Sequence, residues 1–204
     1  MYVPKTFRND DKETQLAFIR QHSFAMLVSV AGGTPYVTHL PMMLEACADG
    51  QLQLTGHISI ANPHAHILKE TNEVLLVFTG PHTYISSSWY DHDNVPTWNY
   101  IAVHVTGKLH IQSTQELYAS LQYMMDNLES SVAHPLSLKS LPEEMVADHL
   151  TGIIGFSVTL DKMEAAYKLS QNRDDKNYQH IITELEQRDA GSQEVAGEMK
   201  KLRP

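Results

Sequence analysis

The sequence predicts a mostly β protein of the α+β class: an antiparallel barrel with peripheral helices and a helical C-terminal tail. Short segments with strand periodicity outnumber the helical ones. Turn signals rich in glycine, proline and aspartate join neighbouring strands, as in hairpins. Few helices separate the strands, whereas a parallel sheet needs a long crossover for each pair. These three observations favour an antiparallel barrel over a parallel α/β sheet.

The N-terminal half reads as one helix followed by strands linked through hairpins. Residues 10–22 form a helix that Asp10 or Asp11 caps, and residues 24–30 form a mostly apolar strand that ends at a Gly-Gly turn. The remaining predictions for this half are strands at 36–44, 51–57, 74–78 and 83–87, a turn at Asp49-Gly50, and a short helix at 63–69 with Asn62 as its cap.

The C-terminal half contains the clearest strand, residues 98–111, in which an apolar face alternates with a mixed aromatic and polar face. A capping box from Ser113 to Glu116 begins a helix that runs to about residue 129. The further predictions are a helix at 143–149, a strand at 153–160, an irregular polar segment at 167–173, and helices at 174–188 and 192–203. We therefore expect a barrel domain at 1–173 and a helical extension at 174–204.

Composition places the 204-residue chain among globular proteins, with 42% hydrophobic and 19% charged residues. Fifteen basic against 24 acidic residues give a net charge of −9, which makes direct DNA binding doubtful because phosphate contacts need Lys and Arg. The single cysteine, Cys47, excludes an intrachain disulfide. The N-terminus has no apolar signal region, and the apolar run Val74–Phe78 is too short to span a membrane, so we expect a cytoplasmic protein.

Several classes of site have no support in the sequence. No glycine-rich phosphate loop follows a strand, and no GxSxG nucleophile motif is present. His64 and His66 are two positions apart and face different sides of a helix, so they do not form a metal pair. We therefore predict no metal site, and no residue stands out as a catalytic acid or base.

Three segments contain residue types suited to binding. Residues 56–63 join a strand to a capped helix, either as an anion site or as an ordinary cap. Residues 80–90 combine hydroxyl and aromatic side chains, which suit a phosphate and a ring but also suit a plain strand and turn. Residues 96–100, together with the Lys-Leu-Ser-Gln-Asn-Arg segment at 168–173, are suited to a planar polar heterocycle with a charged tail.

The same segments resemble those of the PaiB family, which is known for FMN-binding negative transcriptional regulators. The resemblance covers roughly residues 1–175, in order. It rests on the segments MYVPKTF, THLPMM, GHISIANPHAHIL, VLLVFTGPHTYISSSWY, VPTWNYIAVHVTGKL and KLSQNR. The resemblance implies a split β-barrel of the pyridoxamine-phosphate-oxidase and flavin-reductase type. It also implies a homodimer that binds FMN in clefts at the subunit interface.

Residue by residue, the resemblance implies an FMN site drawn from most of these segments. The residues expected to line the flavin ring are Thr38, His39, Leu40, Pro41 and His57, and those expected to hold the phosphate are Ser59 and Asn62. The residues expected across the dimer interface are Ser86, Ser87, Trp98, Asn99 and Tyr100. Lys168, Gln171 and Arg173 complete the site, with Lys168 or Arg173 as a cation near the pyrimidine edge of the flavin.

Three functions are compatible with this site. The resemblance implies a negative transcriptional regulator that acts through flavin or redox sensing. The same scaffold also suits an FMN-dependent oxidoreductase similar to flavin reductases. The third alternative is a dimeric interaction protein without a cofactor. It is favoured by Ile60, which stands where the family segment usually has a basic residue.

Overall fold

The computed structural model describes residues 1–47 and 50–203. Asp49 of the predicted turn therefore lies outside the described residues, while Gly50 has a positive φ of 80°, which glycine adopts readily. Within these ranges the chain forms nine strands and six α-helices. The strands are β1 (Arg8–Asn9), β2 (Phe24–Ala31), β3 (Thr34–Pro41), β4 (Met43–Ala46), β5 (Leu52–Ser59), β6 (Glu73–Ile85), β7 (Thr97–Ile111), β8 (Ile153–Thr159) and β9 (Lys162–Lys168). The helices are α1 (Lys12–Gln21), α2 (His64–Glu70), α3 (Thr114–Leu128), α4 (Glu143–Thr151), α5 (Asp175–Glu186) and α6 (Ala190–Leu202).

The sheet is mostly antiparallel, as the sequence predicts. Hydrogen-bonded neighbours follow the order β3-β2-β6-β7-β8-β5-β4, and β9 pairs with both β1 and β7. The β2–β3 hairpin is in register from Phe24 opposite Pro41 to Ala31 opposite Thr34. The other antiparallel pairs include β4 with β5, β5 with β8, and β1 with β9. This is the split-barrel class of fold, with helices added between the strands.

The chain divides into two compact units, each with its own core. Unit 1 comprises residues 1–22, 78–104 and 163 onward, and unit 2 comprises residues 23–77 and 105–162. In unit 1, α5 packs against α6, and buried side chains include Ile19, Tyr178, Ile181, Leu185 and Val195. In unit 2, buried side chains include Leu27, Leu54, Leu76, Phe156 and Val158. None of the helices in the described residues is both long and apolar enough to cross a bilayer.

Two strand boundaries differ from the prediction. The strand predicted at 36–44 is interrupted at Met42, whose side chain is fully buried and whose backbone N–H donates to the carbonyl of Ser23 at 2.8 Å. Conversely, the strands predicted at 74–78 and 83–87 are one strand, β6. Gly80 lies inside this strand and does not end it. Its role is packing, since a Cβ atom at this position would approach the ring of Phe18 to 2.7 Å.

The strand β9 is absent from the sequence prediction. Ala165, Ala166 and Tyr167 are all buried, so the segment shows no alternation of polar and apolar residues. Alanine is also a weak strand former, and pairing with β1 and β7 compensates for that. The last residue of β9 is Lys168, so this strand fixes where the loop at 169–173 begins.

Candidate functional site

The fifteen predicted site residues are divided between the two units. Unit 2 contains Thr38, His39, Leu40, Pro41, His57, Ser59 and Asn62. Unit 1 contains Ser86, Ser87, Trp98, Asn99, Tyr100, Lys168, Gln171 and Arg173. Within each unit, some of these residues contact one another, and others form hydrogen bonds with residues outside the predicted site.

In unit 2, Thr38 and Asn62 belong to a hydrogen-bonded group that we call the His64 cluster (Ser29, Thr38, Asn62 and His64). The imidazole of His64 is 2% exposed, with Nε2 at 2.7 Å from Oγ of Ser29 and Nδ1 at 2.8 Å from Oγ1 of Thr38. Asn62 donates through Nδ2 to the same Thr38 oxygen at 3.2 Å, and its Oδ1 accepts from the His64 backbone N–H at 3.0 Å. Ser29 and Thr38 therefore link α2 to β2 and β3 through His64, and Asn62 links the start of α2 to Thr38.

Burial lowers the pKa of His64, so the neutral imidazole is the stable form in the folded protein. A neutral imidazole donates from one nitrogen and accepts at the other, which matches two hydroxyl partners. Burial also lowers the pKa of His57, which is half-buried on β5. Neither histidine provides a positive charge for an anionic ligand.

The remaining unit 2 residues make looser contacts. The ring of His39 is exposed and stacks on the ring of Phe24 with centroids 6.3 Å apart. The hydroxyl of Ser59 accepts from the backbone N–H of Ala61 at 3.1 Å. Leu40 is buried and Pro41 ends β3. Ile60 is 51% exposed, so the position where the family has a basic residue faces solvent in this chain.

In unit 1, two cations lie at the two ends of one loop. Lys168 is half-buried and donates through Nζ to the hydroxyl of Thr97. Burial, and the nearby positive charge of Arg173, lower the pKa of Lys168. Within the described part of the chain, neither cation has a carboxylate within ion-pair distance. We call residues Lys168–Arg173 the basic loop.

Arg173 has a polar atom without a partner. Its guanidinium lies 4.8 Å from the centre of the Tyr90 ring, a cation–π distance. The Nε atom of Arg173 and the hydroxyl of Tyr90 are both buried and have no hydrogen-bond partner among the described residues. Buried donors without partners are rare in native proteins, since each costs about 1–3 kcal/mol.

Asn99 and Gln171 form hydrogen bonds that fix the conformation of the basic loop. Asn99 is fully buried and accepts at Oδ1 from the hydroxyl of Ser170 at 3.0 Å. The Gln171 side chain donates to the carbonyls of Tyr167 at 2.6 Å and Thr6 at 3.2 Å, and accepts from the backbone N–H of Leu169 at 2.8 Å. These two predicted ligands direct their polar groups at the protein itself.

The aromatic and hydroxyl residues of β6 and β7 are more accessible. Trp98 is 52% exposed, and its ring lies 6.3 Å from that of Tyr84 and 6.0 Å from that of His82. Tyr100 is half-buried. Ser87 lines a polar cavity of about 440 Å³ formed by residues between 87 and 94. Ser86 uses its hydroxyl to accept from the N–H of Ser88, at 3.2 Å.

Comparison with known proteins identifies the family. Residues 1–162 match the model of the family described as "Putative FMN-binding domain". The chain is also 38% identical over 186 residues to the "Protease synthase and sporulation protein PAI 2" of Bacillus subtilis. That alignment covers 91% of this chain and 89% of the relative. The chain belongs to the PaiB family.

Solved structures with related folds agree with the fold of this PaiB-family chain. The flavocytochrome Anf3 from Azotobacter vinelandii aligns with a TM-score of 0.59 at 18% identity, over 87% of this chain and 78% of that chain. The FAD and heme binding protein from Mycobacterium smegmatis aligns with a TM-score of 0.57 at 12% identity, over 79% of this chain and 73% of that chain. At these identities the likeness concerns the fold, and the family match supports FMN as the cofactor.

The residues of unit 1 fit an anionic nucleotide better than those of unit 2. The basic loop offers two cations without carboxylate partners and a buried guanidinium nitrogen without an acceptor. A phosphate supplies acceptors for such groups, and guanidinium matches it geometrically. The His64 cluster offers a neutral ring and hydroxyls that are already bonded to each other. Among residues 1–47 and 50–203, no group of three or more His, Cys, Asp or Glu is arranged to hold a metal.

Sequence reasoning missed three residues around these clusters. Tyr90 lies in a segment that we singled out, but nothing in the sequence indicated that its ring packs on Arg173. From the sequence, His64 is a candidate only for a metal pair, although the Asn-Pro-His order at the start of α2 places it beside the predicted Asn62. Arg203 lies 30 residues beyond Arg173 and donates to its carbonyl at 3.2 Å, a contact that no local pattern signals.

The depressed pKa of His64 predicts a pH-dependent stability. Above the unfolded-state pKa of about 6.5 the buried neutral ring is favourable, and its contribution is lost as pH falls from there through the lower folded-state pKa. The unfolded chain binds more protons in that range, so the free energy of unfolding decreases, by at most about 1.4 kcal/mol per pH unit for this one group. Urea denaturation at several pH values between 7.5 and 5 measures the slope.

His64→Gln removes one of the buried histidines that titrate in this range and should reduce this slope, while His57 and the others still contribute. His66→Gln, which removes an exposed imidazole from the same helix, is the matched control. If His64→Gln and wild type lose stability equally on acidification, His64 is not responsible for the pH dependence.

Proposed function

We propose that this chain is an FMN-binding homodimer of the cytoplasm, in which the basic loop holds the FMN phosphate and flavin binding controls a regulatory output. The observation that carries the proposal is the pair of cations at the two ends of the basic loop, Lys168 and Arg173, neither of which has a carboxylate partner among the described residues and one of which, Arg173, has a buried Nε without an acceptor. The division into a domain at 1–173 and an extension at 174–204 remains part of the proposal.

The energetics of the basic loop favour an anion. Two like charges near each other in a half-buried setting repel, which is why Arg173 contributes to the lowered pKa of Lys168. A phosphate dianion reverses that repulsion and accepts from both side chains. It also offers a partner to the orphaned Nε of Arg173. Because Ile60 cannot bind phosphate, these cations take the place of the basic residue usual in the family segment.

The protein contributes binding and electrostatics to this site. FMN, when bound, supplies redox chemistry. Lys168 and Arg173 neutralise its charge, Asn99 and Gln171 hold the backbone that carries them, and the exposed rings of Trp98 and Tyr84 offer apolar surface. The unit 2 residues predicted to line the flavin ring or hold the phosphate, Thr38, His39, Leu40, Pro41, His57, Ser59 and Asn62, remain candidates that their own substitution would test.

Replacing either cation of the basic loop should weaken FMN binding. A charge-assisted hydrogen bond contributes about 1.5–3 kcal/mol, so Lys168→Gln or Arg173→Gln should raise the dissociation constant about tenfold or more. Quenching of FMN fluorescence on titration with purified protein measures it.

Lys200→Gln is the matched control, because it removes one positive charge from a surface ion pair with Glu186 in the same unit. Riboflavin, which lacks the phosphate, should bind the wild type and the loop variants alike. If the loop variants lose affinity equally for FMN and riboflavin, the loop cations contact the flavin ring rather than the phosphate. Unchanged FMN affinity in both loop variants contradicts the proposed site.

The aromatic face of β7 is the proposed dimer surface. Trp98 is 52% exposed and Tyr84 is 39% exposed, and their rings meet edge to face. Tyr100 and His104 are the next half-buried residues of β7 on the same face as Trp98. Exposed aromatic residues of this kind are enriched at protein interfaces.

Introducing two carboxylates on this face should separate the subunits. The double variant Tyr100→Asp/His104→Asp should sediment as a monomer, because burying unpaired charges in an interface is costly. The control variant Tyr2→Asp/His134→Asp changes the same residue types at exposed positions outside β7 and should remain dimeric. A Tyr100→Asp/His104→Asp protein that stays dimeric places the interface elsewhere.

The proposed regulatory output does not involve DNA phosphates. The Bacillus subtilis relative carries the name of a protease synthase and sporulation protein, and this name is compatible with the regulatory role that the family resemblance implies. A homodimer of this chain would carry a charge of −18, twice the −9 of one chain. The C-terminal cations are already paired: Lys200 with Glu186, Lys201 with Glu198 at 2.7 Å, and Arg203 with Asp175 at 3.1 Å.

Accordingly, the purified dimer should show no saturable binding to duplex DNA at about 150 mM salt, with or without FMN. Fluorescence anisotropy of a labelled duplex, repeated at lower salt, is the measurement. Binding that falls steeply with salt, and that Lys200→Gln/Lys201→Gln abolishes, would instead assign the C-terminal helix to DNA.

A further inference from the structure

The basic loop contains a strained turn. Ser170 has a φ of 60°, and it is the one residue other than glycine with a positive φ in the described part of the chain. This left-handed conformation is unfavourable for an L-residue such as serine, and it persists only where surrounding contacts enforce it. The Ser170 hydroxyl bond to Asn99 and the backbone bond from Arg173 N–H to the Ser170 carbonyl, at 3.0 Å, are two such contacts.

A third set of contacts comes from Arg203, just after α6. Its guanidinium donates through one terminal nitrogen to the carbonyl of Gln171 at 2.6 Å. Through the other it donates to the carbonyl of Arg173 at 3.2 Å and to Asp175 at 3.1 Å. The guanidinium also lies 4.7 Å from the centre of the Tyr178 ring. A single planar group thus bridges two backbone carbonyls of the basic loop while packed on an aromatic face.

These contacts differ from an ordinary helix C-cap. The end of α6 is completed by the backbone N–H of Arg203, which donates to the carbonyl of Met199 at 3.1 Å. The side chain therefore has no role in closing its own helix, and its donors reach residues 30 and 32 positions earlier. Tyr178 is 1% exposed and donates through its hydroxyl to the Met199 carbonyl at 2.7 Å, which fixes the surface on which the guanidinium rests.

We propose that Arg203 is a positioning residue for the FMN site, which clamps the carbonyls of Gln171 and Arg173 and so holds Lys168 and Arg173 in the geometry that receives the phosphate. This inference rests on the proposed function. The rigid fork of a guanidinium can bridge two carbonyls, whereas an ammonium has no such fixed geometry. The C-terminal extension would then be part of the cofactor site although it supplies no ligand.

The test compares Arg203→Ala and Arg203→Lys with the control Lys201→Ala, which removes a neighbouring cation from an ion pair within α6. FMN titration should show a dissociation constant raised about tenfold in Arg203→Ala, an intermediate value in Arg203→Lys, and the wild-type value in Lys201→Ala. Adding guanidinium at low millimolar concentration should restore part of the affinity of Arg203→Ala, since the site is 34% exposed, whereas equal sodium chloride should not.

A second measurement needs no flavin. Amide hydrogen exchange of the unliganded proteins should show faster exchange at Leu169 and Arg173, whose N–H groups are hydrogen-bonded within the loop, in Arg203→Ala only. Exchange in α5 and the free energy of unfolding in urea report whether the whole unit is loosened instead.

The outcomes separate the two proposals. Unchanged loop exchange and unchanged FMN affinity in Arg203→Ala overturn the positioning role. Loss of FMN affinity without guanidinium rescue, together with a lower free energy of unfolding, would show that Arg203 has only a structural role. That result also overturns the positioning role. If wild type itself ignores FMN, the proposed function fails, while the exchange experiment still decides whether Arg203 holds the loop.

Discussion

The hydrogen bonding of one short loop organises unit 1. Between β9 and α5 the chain leaves regular secondary structure, yet Leu169 and Ser170 are buried, so the polar groups of this loop need hydrogen-bond partners. Side chains supply several of these partners. Gln171 accepts from the N–H of Leu169, and Arg203, which follows α6, donates to the carbonyls of Gln171 and Arg173. Asn99 of β7 accepts from the hydroxyl of Ser170. The left-handed Ser170 is held by these bonds. The position of both loop cations follows from this arrangement.

Electrostatics give this loop its distinction in an acidic protein. The chain has a net charge of −9, and the cations at its C-terminal end are each paired with a carboxylate: Lys200 with Glu186, Lys201 with Glu198 and Arg203 with Asp175. Within the residues that the structure describes, Lys168 and Arg173 contact a hydroxyl and an aromatic face instead of carboxylates. Leaving two cations unpaired costs stability, and a negatively charged ligand offsets that cost. The position of these two cations, rather than the total charge of the chain, therefore favours an anionic ligand at the loop.

Much of the fold was predictable because strand periodicity is a local property. The alternation in residues 98–111 gave β7 and its buried face, and the capping box at Ser113 gave the start of α3. The strand β9 was not predicted, because Ala165, Ala166 and Tyr167 are all buried and the segment therefore lacks the alternation of polar and apolar residues. Likewise, residue types suggested that Thr38 and Asn62 were free to bind a ligand, but both are bonded within the His64 cluster.

The sequence alone determined the antiparallel class of the fold, the segments that carry polar and aromatic side chains, and the acidic charge that disfavours DNA. These depend on periodicity, turn chemistry and composition, which are readable along the chain. The tertiary structure decided which of those side chains keep free hydrogen-bonding capacity. That outcome depends on partners far apart in sequence, such as Tyr90 with Arg173 and Arg203 with Gln171, because burial and pairing arise only when the chain is folded.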